Sequence, residues 1–234
     1  MQIAGIQPCS MVDYPGKIAT VVFTPGCNMN CHYCHNRGLL GDAPTQTRHD
    51  ADEVIGLLAR RRKMLDGVVV TGGEPTLQPR LARFLERVQE LGLAIKLDTN
   101  GTRPEVVRDL VERKLVNYVA MDLKAPFTRY GEICGVEVDP DDLRTTVRVV
   151  LEAGIDHEFR TTFSPLLNEQ DILQMAGDVQ GARRLVLQQY RRPAAGDWLA
   201  DTAARPRPSH SAEYVRRVAQ RVGSLRTPCT TRGL

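Results

Sequence analysis

No stretch of this 234-residue chain approaches the roughly 18 consecutive apolar residues that cross a bilayer. The N-terminus Met1-Gln2-Ile3-Ala4-Gly5-Ile6 also lacks the basic region and apolar core of a secretory signal. A cytoplasmic protein without a membrane partner is therefore expected. A disulfide framework is missing too: of six cysteines, three are bunched at 27, 31 and 34, while Cys9, Cys134 and Cys229 are scattered. Reduced thiols and low oxygen fit that distribution. There is no internal repeat and no low-complexity tract. What remains, 42% hydrophobic and 25% charged, is an ordinary globular composition with enough chain for one sizeable core. The net charge of +3 hides an asymmetry, because residues 181–234 hold 11 of the 31 basic residues and 3 of the 28 acidic ones.

Hydrophobic patterning predicts alternating strands and helices. Residues 1–18 read as a short strand and turns, and Ala19–Thr24 is a β-rich run stopped by Pro25-Gly26. Further strands are predicted over 67–71, 94–98, 116–123, 157–163 and 184–189. Between them, helical spacing places Val54, Leu57, Leu58 and Leu65 on one face, then Leu81, Phe84, Leu85, Val88 and Leu91. Thr102-Arg103-Pro104-Glu105 reads as a capping box, and Asp139-Pro140 as a cap with proline at the first helical position. A late helix over 211–221 would set Arg216, Arg217 and Arg221 opposite Val215, Val218 and Val222. Six strand–helix units argue for a mostly parallel α/β sheet with right-handed crossovers, either an incomplete barrel or a flat doubly wound sheet. In both, ligands gather at the C-terminal strand ends. The expected domains are a strand–helix body over 1–190 and a basic extension over 191–234 packed on it.

The first predicted strand end carries Gly26-Cys27-Asn28-Met29-Asn30-Cys31-His32-Tyr33-Cys34-His35-Asn36, three thiols within eight residues. A four-iron cube takes one cysteine per iron, so three cysteines without a nearby fourth imply one iron left open for chemistry. Two other readings stay open at this level. Cys31 and Cys34 with His32 or His35 could form a zinc knuckle, although no second cysteine couple follows at the usual spacing, and a redox dithiol would have no use for Cys27.

Other strand ends are also unusual. Thr71-Gly72-Gly73-Glu74-Pro75 combines glycines, which allow close backbone approach, with a carboxylate able to accept from an ammonium. Asp98-Thr99-Asn100-Gly101 and Met121-Asp122-Leu123-Lys124 follow, and taken singly they could be turn residues and a snorkelling lysine. Arg160 on its strand would ordinarily be a salt-bridge partner.

Together these motifs resemble radical S-adenosylmethionine enzymes, and more narrowly the activating proteins of glycyl-radical enzymes, such as those of anaerobic ribonucleotide reductase and pyruvate formate-lyase. The resemblance covers nearly the whole chain, including Asp13-Tyr14-Pro15-Gly16 and Gln188-Gln189-Tyr190-Arg191. It implies a partial (βα)6 barrel in which Cys27, Cys31 and Cys34 bind a 4Fe-4S cluster whose fourth iron is chelated by S-adenosylmethionine. By the same resemblance Tyr33 lies beside the adenine, Gly72, Gly73 and Glu74 bind the methionyl ammonium, and Asp98 and Asn100 meet the ribose. Lys124 and Arg160 would approach the carboxylate, and Asp98, Thr99 and Asp122 could hold a monovalent cation. The implied activity is reductive cleavage of S-adenosylmethionine and generation of a glycyl radical on a partner, with anaerobic ribonucleotide reductase preferred and a flavodoxin or ferredoxin-type protein as electron donor. The gap between Cys34 and Thr71 leaves no room for the ferredoxin-like insert of some longer activases, so a single cluster is expected. The rival functions are a radical S-adenosylmethionine enzyme acting on a purine-like or pterin-like small molecule, and a zinc-stabilised nucleic-acid-binding module using the basic tail.

The bunching of only three cysteines generates a direct expectation. After anaerobic reconstitution, Cys27→Ala, Cys31→Ala and Cys34→Ala should each lose bound iron, whereas Cys9→Ala, Cys134→Ala and Cys229→Ala should keep it. Undiminished iron in Cys31→Ala would remove the assignment.

Overall fold

The protein was analysed as a computed structural model, which describes residues 1–40, 49–192, 208–225 and 227–234. Its strands are β1 (Gly5–Ser10), β2 (Ala19–Thr24), β3 (Gly67–Gly72), β4 (Ala94–Thr99), β5 (Tyr118–Asp122), β6 (Asp156–Phe163), β7 (Leu185–Gln189) and β8 (Cys229–Arg232). The helices are α1 (Ala51–Arg61), α2 (Leu81–Glu90), α3 (Pro104–Glu112), α4 (Tyr130–Cys134), α5 (Pro140–Glu152), α6 (Glu169–Asp178) and α7 (Ala212–Ser224). β1 pairs antiparallel with β2, and β2–β3, β3–β4, β6–β7 and β7–β8 pair in parallel. The strand order, β1 to β8, is the chain order in an eight-stranded sheet. This is the mostly parallel, unclosed α/β architecture expected from the sequence. Among the described residues no helix is long and apolar enough to cross a membrane.

The chain forms two compact units, Met1–Asn28 with Asn36–Ala120, and Met29–His35 with Met121–Leu234. In the first, most of the predicted apolar faces are buried: Val54 and Leu58 of α1, and Leu81, Phe84, Leu85 and Val88 of α2, while Leu57 and Leu91 are half-buried and Leu65 lies past the end of α1; α3 buries Val107 and Leu110. α1 opens with a reciprocal capping box between Asp50 and Glu53. The one expected at α3 does not form. Arg103 stands at its N-cap without a side-chain bond, because the Thr102 hydroxyl donates instead to Asn100 Oδ1 at 2.7 Å. Pro104, whose missing N–H costs nothing at a helix start, opens the helix alone.

In the second unit Asp139 caps α5 and Pro140 is its first residue, as expected. Val215, Val218 and Val222 of α7 are buried while Arg216, Arg217 and Arg221 are exposed. Arg221 pairs with Glu169 of α6, and the Arg217 guanidinium lies 5.0 Å from the Tyr214 ring centre. Of the basic extension, α7 and β8 thus belong to this unit, and residues 193–207 lie outside the described ones. Cys229-Thr230-Thr231-Arg232 carries no apolar alternation and is a strand because it can pair with β7.

One residue of the first unit breaks its pattern. Register sets Val21 beside Val69 and Val69 beside Lys96, so alternation turns a lysine onto the face that holds Tyr14, Val21, Val69, Tyr118 and Ala120. Lys96 is 1% exposed, its ammonium paired with Asp98 two residues on and 5.7 Å from the Tyr118 ring centre. Breaking a buried pair by removing one partner strands the other charge, at about 3–5 kcal/mol. Lys96→Met should therefore lower the unfolding free energy by about 3 kcal/mol in denaturant melts, and Lys96→Met with Asp98→Asn should lose clearly less than Lys96→Met alone. Equal losses would show that the pair is not the source of the cost.

Candidate cofactor site

Within the first unit, the cysteine loop begins where β2 ends. Gly26 takes a positive φ of 78°, its N–H donates to Leu39 O at 2.7 Å, and its carbonyl accepts from Glu74 N–H at 2.7 Å. Gly73 N–H donates to Thr24 O at 2.8 Å. This contact explains the paired glycines: a Cβ on Gly73 would stand 1.9 Å from Gly26 O, and one on Gly72, at φ 121°, 2.3 Å from Thr24 N. The glycines let one backbone approach another, so their first service is to the cysteine loop. Asn36, at the loop's far end, donates to Gly72 O at 3.2 Å.

Glu74 is 1% exposed. Its Oε1 accepts from Thr76 N–H at 3.0 Å, Thr76 Oγ1 at 2.5 Å and Thr99 Oγ1 at 2.8 Å, and its Oε2 from Asn100 N–H at 2.7 Å. Burial pushes its pKa up, and these donors offset only part of that rise. The carboxylate joins the end of β3 to the end of β4. Asn100 extends the network: its Nδ2 donates to Asn28 Oδ1 at 2.9 Å and lies 3.8 Å from Cys27 Sγ, and its Oδ1 accepts from Thr102. Asn28 Nδ2 in turn donates to Thr102 Oγ1 at 2.8 Å. Asp98 is engaged by Lys96 and Thr99 by Glu74.

The second unit gathers its own set. Asp122 Oδ1 accepts from Arg160 Nε at 2.8 Å and Oδ2 from Lys124 Nζ at 3.4 Å. Burial would raise the Asp122 pKa, but Arg160 and then Lys124 more than offset it and hold the group below the usual carboxylate range. Burial likewise opposes the charge of Lys124, yet Asp122 and then Cys31 keep its pKa well above normal. The Lys124 ammonium is 6.0 Å from the Tyr33 ring centre, and burial holds the Tyr33 phenol neutral. The Cys31 thiol is lowered to about 6, first by a hydrogen bond from Cys134, against burial, and then by Lys124. His32 bridges Ile133 O at 3.2 Å and Ser164 Oγ at 3.0 Å; since a carbonyl only accepts, Nδ1 carries the proton and Nε2 accepts from the serine.

Each unit therefore collects its share of the sequence-derived residues: Cys27, Gly72, Gly73, Glu74, Asp98, Thr99 and Asn100 in one, Cys31, Tyr33, Cys34, Asp122, Lys124 and Arg160 in the other. Sequence reasoning passed over Asn28, Lys96, Thr102, Cys134 and Ser164. Asn28 lies inside the cysteine string and carried a signal; Ser164 is defined by a partner distant in sequence, and Lys96 and Thr102 by burial that their own stretches do not announce. The carboxylates named for a monovalent cation are already balanced, Asp98 by Lys96 and Asp122 by Arg160 and Lys124. Among the described residues, no three His, Cys, Asp or Glu side chains gather closely enough to hold a single metal ion. A loop of three thiols, with a buried thiol lowered in pKa and an amide donor beside another, suits an iron–sulfur cluster, which takes one thiolate per iron.

Comparison with known proteins agrees. The sequence pattern of the Radical SAM superfamily matches residues 21–179. A protein of Methanocaldococcus jannaschii assigned to the glycyl-radical enzyme activating enzymes is 35% identical over 205 residues, 83% of this chain and 82% of its own. A Halobacterium salinarum protein assigned as a GTP 3′,8-cyclase is 30% identical over 212 residues, 79% of this chain and 57% of its own. Among solved structures, Streptococcus suis SuiB bound to S-adenosylmethionine superposes with a TM-score of 0.71 at 16% identity, covering 91% of this chain and 52% of that one. The chain belongs to the radical SAM superfamily, enzymes that work with a 4Fe-4S cluster and S-adenosylmethionine.

Proposed function

We propose that this enzyme is an activase that takes a hydrogen atom from a glycine Cα of a partner glycyl-radical enzyme, with anaerobic ribonucleotide reductase as the preferred partner. The observation that carries this reading is the 35% identity to the M. jannaschii protein along more than four fifths of both chains. When bound, the cluster supplies one electron to the sulfonium of S-adenosylmethionine, an electron that a flavodoxin or ferredoxin-type donor would deliver to it.

The chain's own groups bind and orient. Cys27, Cys31 and Cys34 would hold the cluster. Lys124, kept ionised by Asp122 and set beside Tyr33, offers a charge-assisted contact to the methionyl carboxylate, with Arg160 as a second cation. Tyr33 would lie along the adenine, and Asp98 and Asn100 would meet the ribose. Because the Glu74 carboxylate already accepts four hydrogen bonds, its part in ammonium binding is indirect: it ties the turn after Gly72-Gly73 to the end of β4 and so sets the backbone that the ammonium would meet.

A second reading, a small-molecule radical enzyme acting on a purine-like substrate, has the support of the 30% identity to the H. salinarum protein. Co-incubation of the reduced anaerobic protein with candidate glycyl-radical enzymes, followed by electron paramagnetic resonance, separates the two. The activase should produce a glycyl-radical doublet on one partner, and turnover of a nucleotide with no doublet on any partner would decide for the second reading.

Two variants test the assigned contacts. Lys124→Ala should keep its iron and bind S-adenosylmethionine about one to two decades more weakly, since a hydrogen bond to a charged group is worth about 1.5–3 kcal/mol. Glu74→Gln replaces an acceptor oxygen by a donor facing other donors, so weaker binding should come with a melting temperature lowered by several degrees, about 1–3 kcal/mol of stability. Equilibrium binding and thermal melts under argon read both. Native affinity in Lys124→Ala would refute the carboxylate contact.

A further inference from the structure

Cys134, the last residue of α4, is fully buried and has no place in the cluster-binding string. It is nonetheless held against that string by backbone contacts. Its carbonyl accepts from Asn30 N–H at 2.8 Å. Gly135 follows at φ 67°, and a Cβ there would stand 2.9 Å from Asn30 O, so only glycine ends α4 without displacing the loop. The seat delivers the Cys134 thiol to Cys31, with which it shares a side-chain hydrogen bond. All of these residues belong to the second unit.

A thiol can act there in two ways: as a small apolar filler, or as a weak S–H donor. When Cys31 is a thiolate, it is the stronger acceptor and Cys134 the donor. Hydrogen bonds to the sulfurs are among the factors that set the potential of an iron–sulfur cluster, because drawing charge from a thiolate favours the more negative, reduced cluster.

We propose that Cys134 is a positioning residue for the iron–sulfur centre, its S–H donating to Cys31 Sγ and holding the cluster's midpoint potential above the value an undonated thiolate would give. The proposal rests on the reading of Cys31 as a cluster ligand. The seat is made by backbone atoms, so side-chain substitutions at 134 change the donor and leave the docking of Asn30 in place.

The test is a potentiometric titration of the reconstituted protein, followed by electron paramagnetic resonance of the reduced cluster, without substrate or partner. Cys134→Ala, which removes the donor, should retain iron and shift the midpoint to a more negative potential. Cys134→Ser, which keeps a donor of similar size, should stay at the native potential or rise above it. If Cys134→Ala sheds its iron while Cys134→Ser keeps it, the donor serves retention of the cluster and the assignment of a potential-setting role is overturned. A native potential in Cys134→Ala would overturn it, as would an equal fall, or equal loss of iron, in both variants, since each would make Cys134 a filler. Failure of the underlying ligand reading would appear elsewhere, as full iron in Cys31→Ala with Cys134 intact.

Discussion

The carboxylate of Glu74 is the constraint on which the first unit's strand ends depend. A buried carboxylate is tolerable only when its oxygens are satisfied, and here four donors converge on it from the turn after β3 and the end of β4. By fixing Asn100, the same group also fixes the amide beside Cys27 and the partner of Asn28. One side chain thereby relates two parallel strand ends to the start of the cysteine loop. The arrangement is rigid because every member is occupied by another.

Two largely buried lysines are paired with carboxylates close to them in sequence. Lys96 meets Asp98 on one side of β4, and Lys124, two residues past the end of β5, meets Asp122. Arg160 comes to Asp122 from β6. The consequence for a zwitterionic cofactor is that the cations it would meet are already oriented by carboxylates before it arrives.

Much of the architecture was legible, for reasons that differ by element. α2 and α7 show one continuous apolar stripe, and the stripe is what packs. β3, a valine run bounded by glycines, can hardly be anything else. The motif residues were legible through resemblance, but the contacts that hold two of them in place were not. The paired glycines serve an approach of backbone to backbone, which no local pattern announces, and Glu74 is consumed by Thr99 and Asn100, residues 25 and 26 positions away. The capping box at Thr102 failed for a similar cause: the hydroxyl had a better offer from Asn28 and Asn100 than from its own helix. Lys96 was unreadable because an alternating strand gives no hint that a lysine's ammonium will find a carboxylate and an aromatic face inside.

The partners of the cysteine loop also have an order in time. Asn28 waits for Thr102, Asn30 for Cys134, and His32 for Ser164, which is 132 residues later. At a translation rate of about 5–20 residues per second, roughly 7–26 s pass between the making of His32 and the making of Ser164. Throughout that interval three thiols emerge on a nascent chain whose restraints have not yet been synthesised. Cluster insertion into the finished seat is thus a post-translational event, and the thiols' survival until then depends on the reducing power of the surroundings more than on the fold.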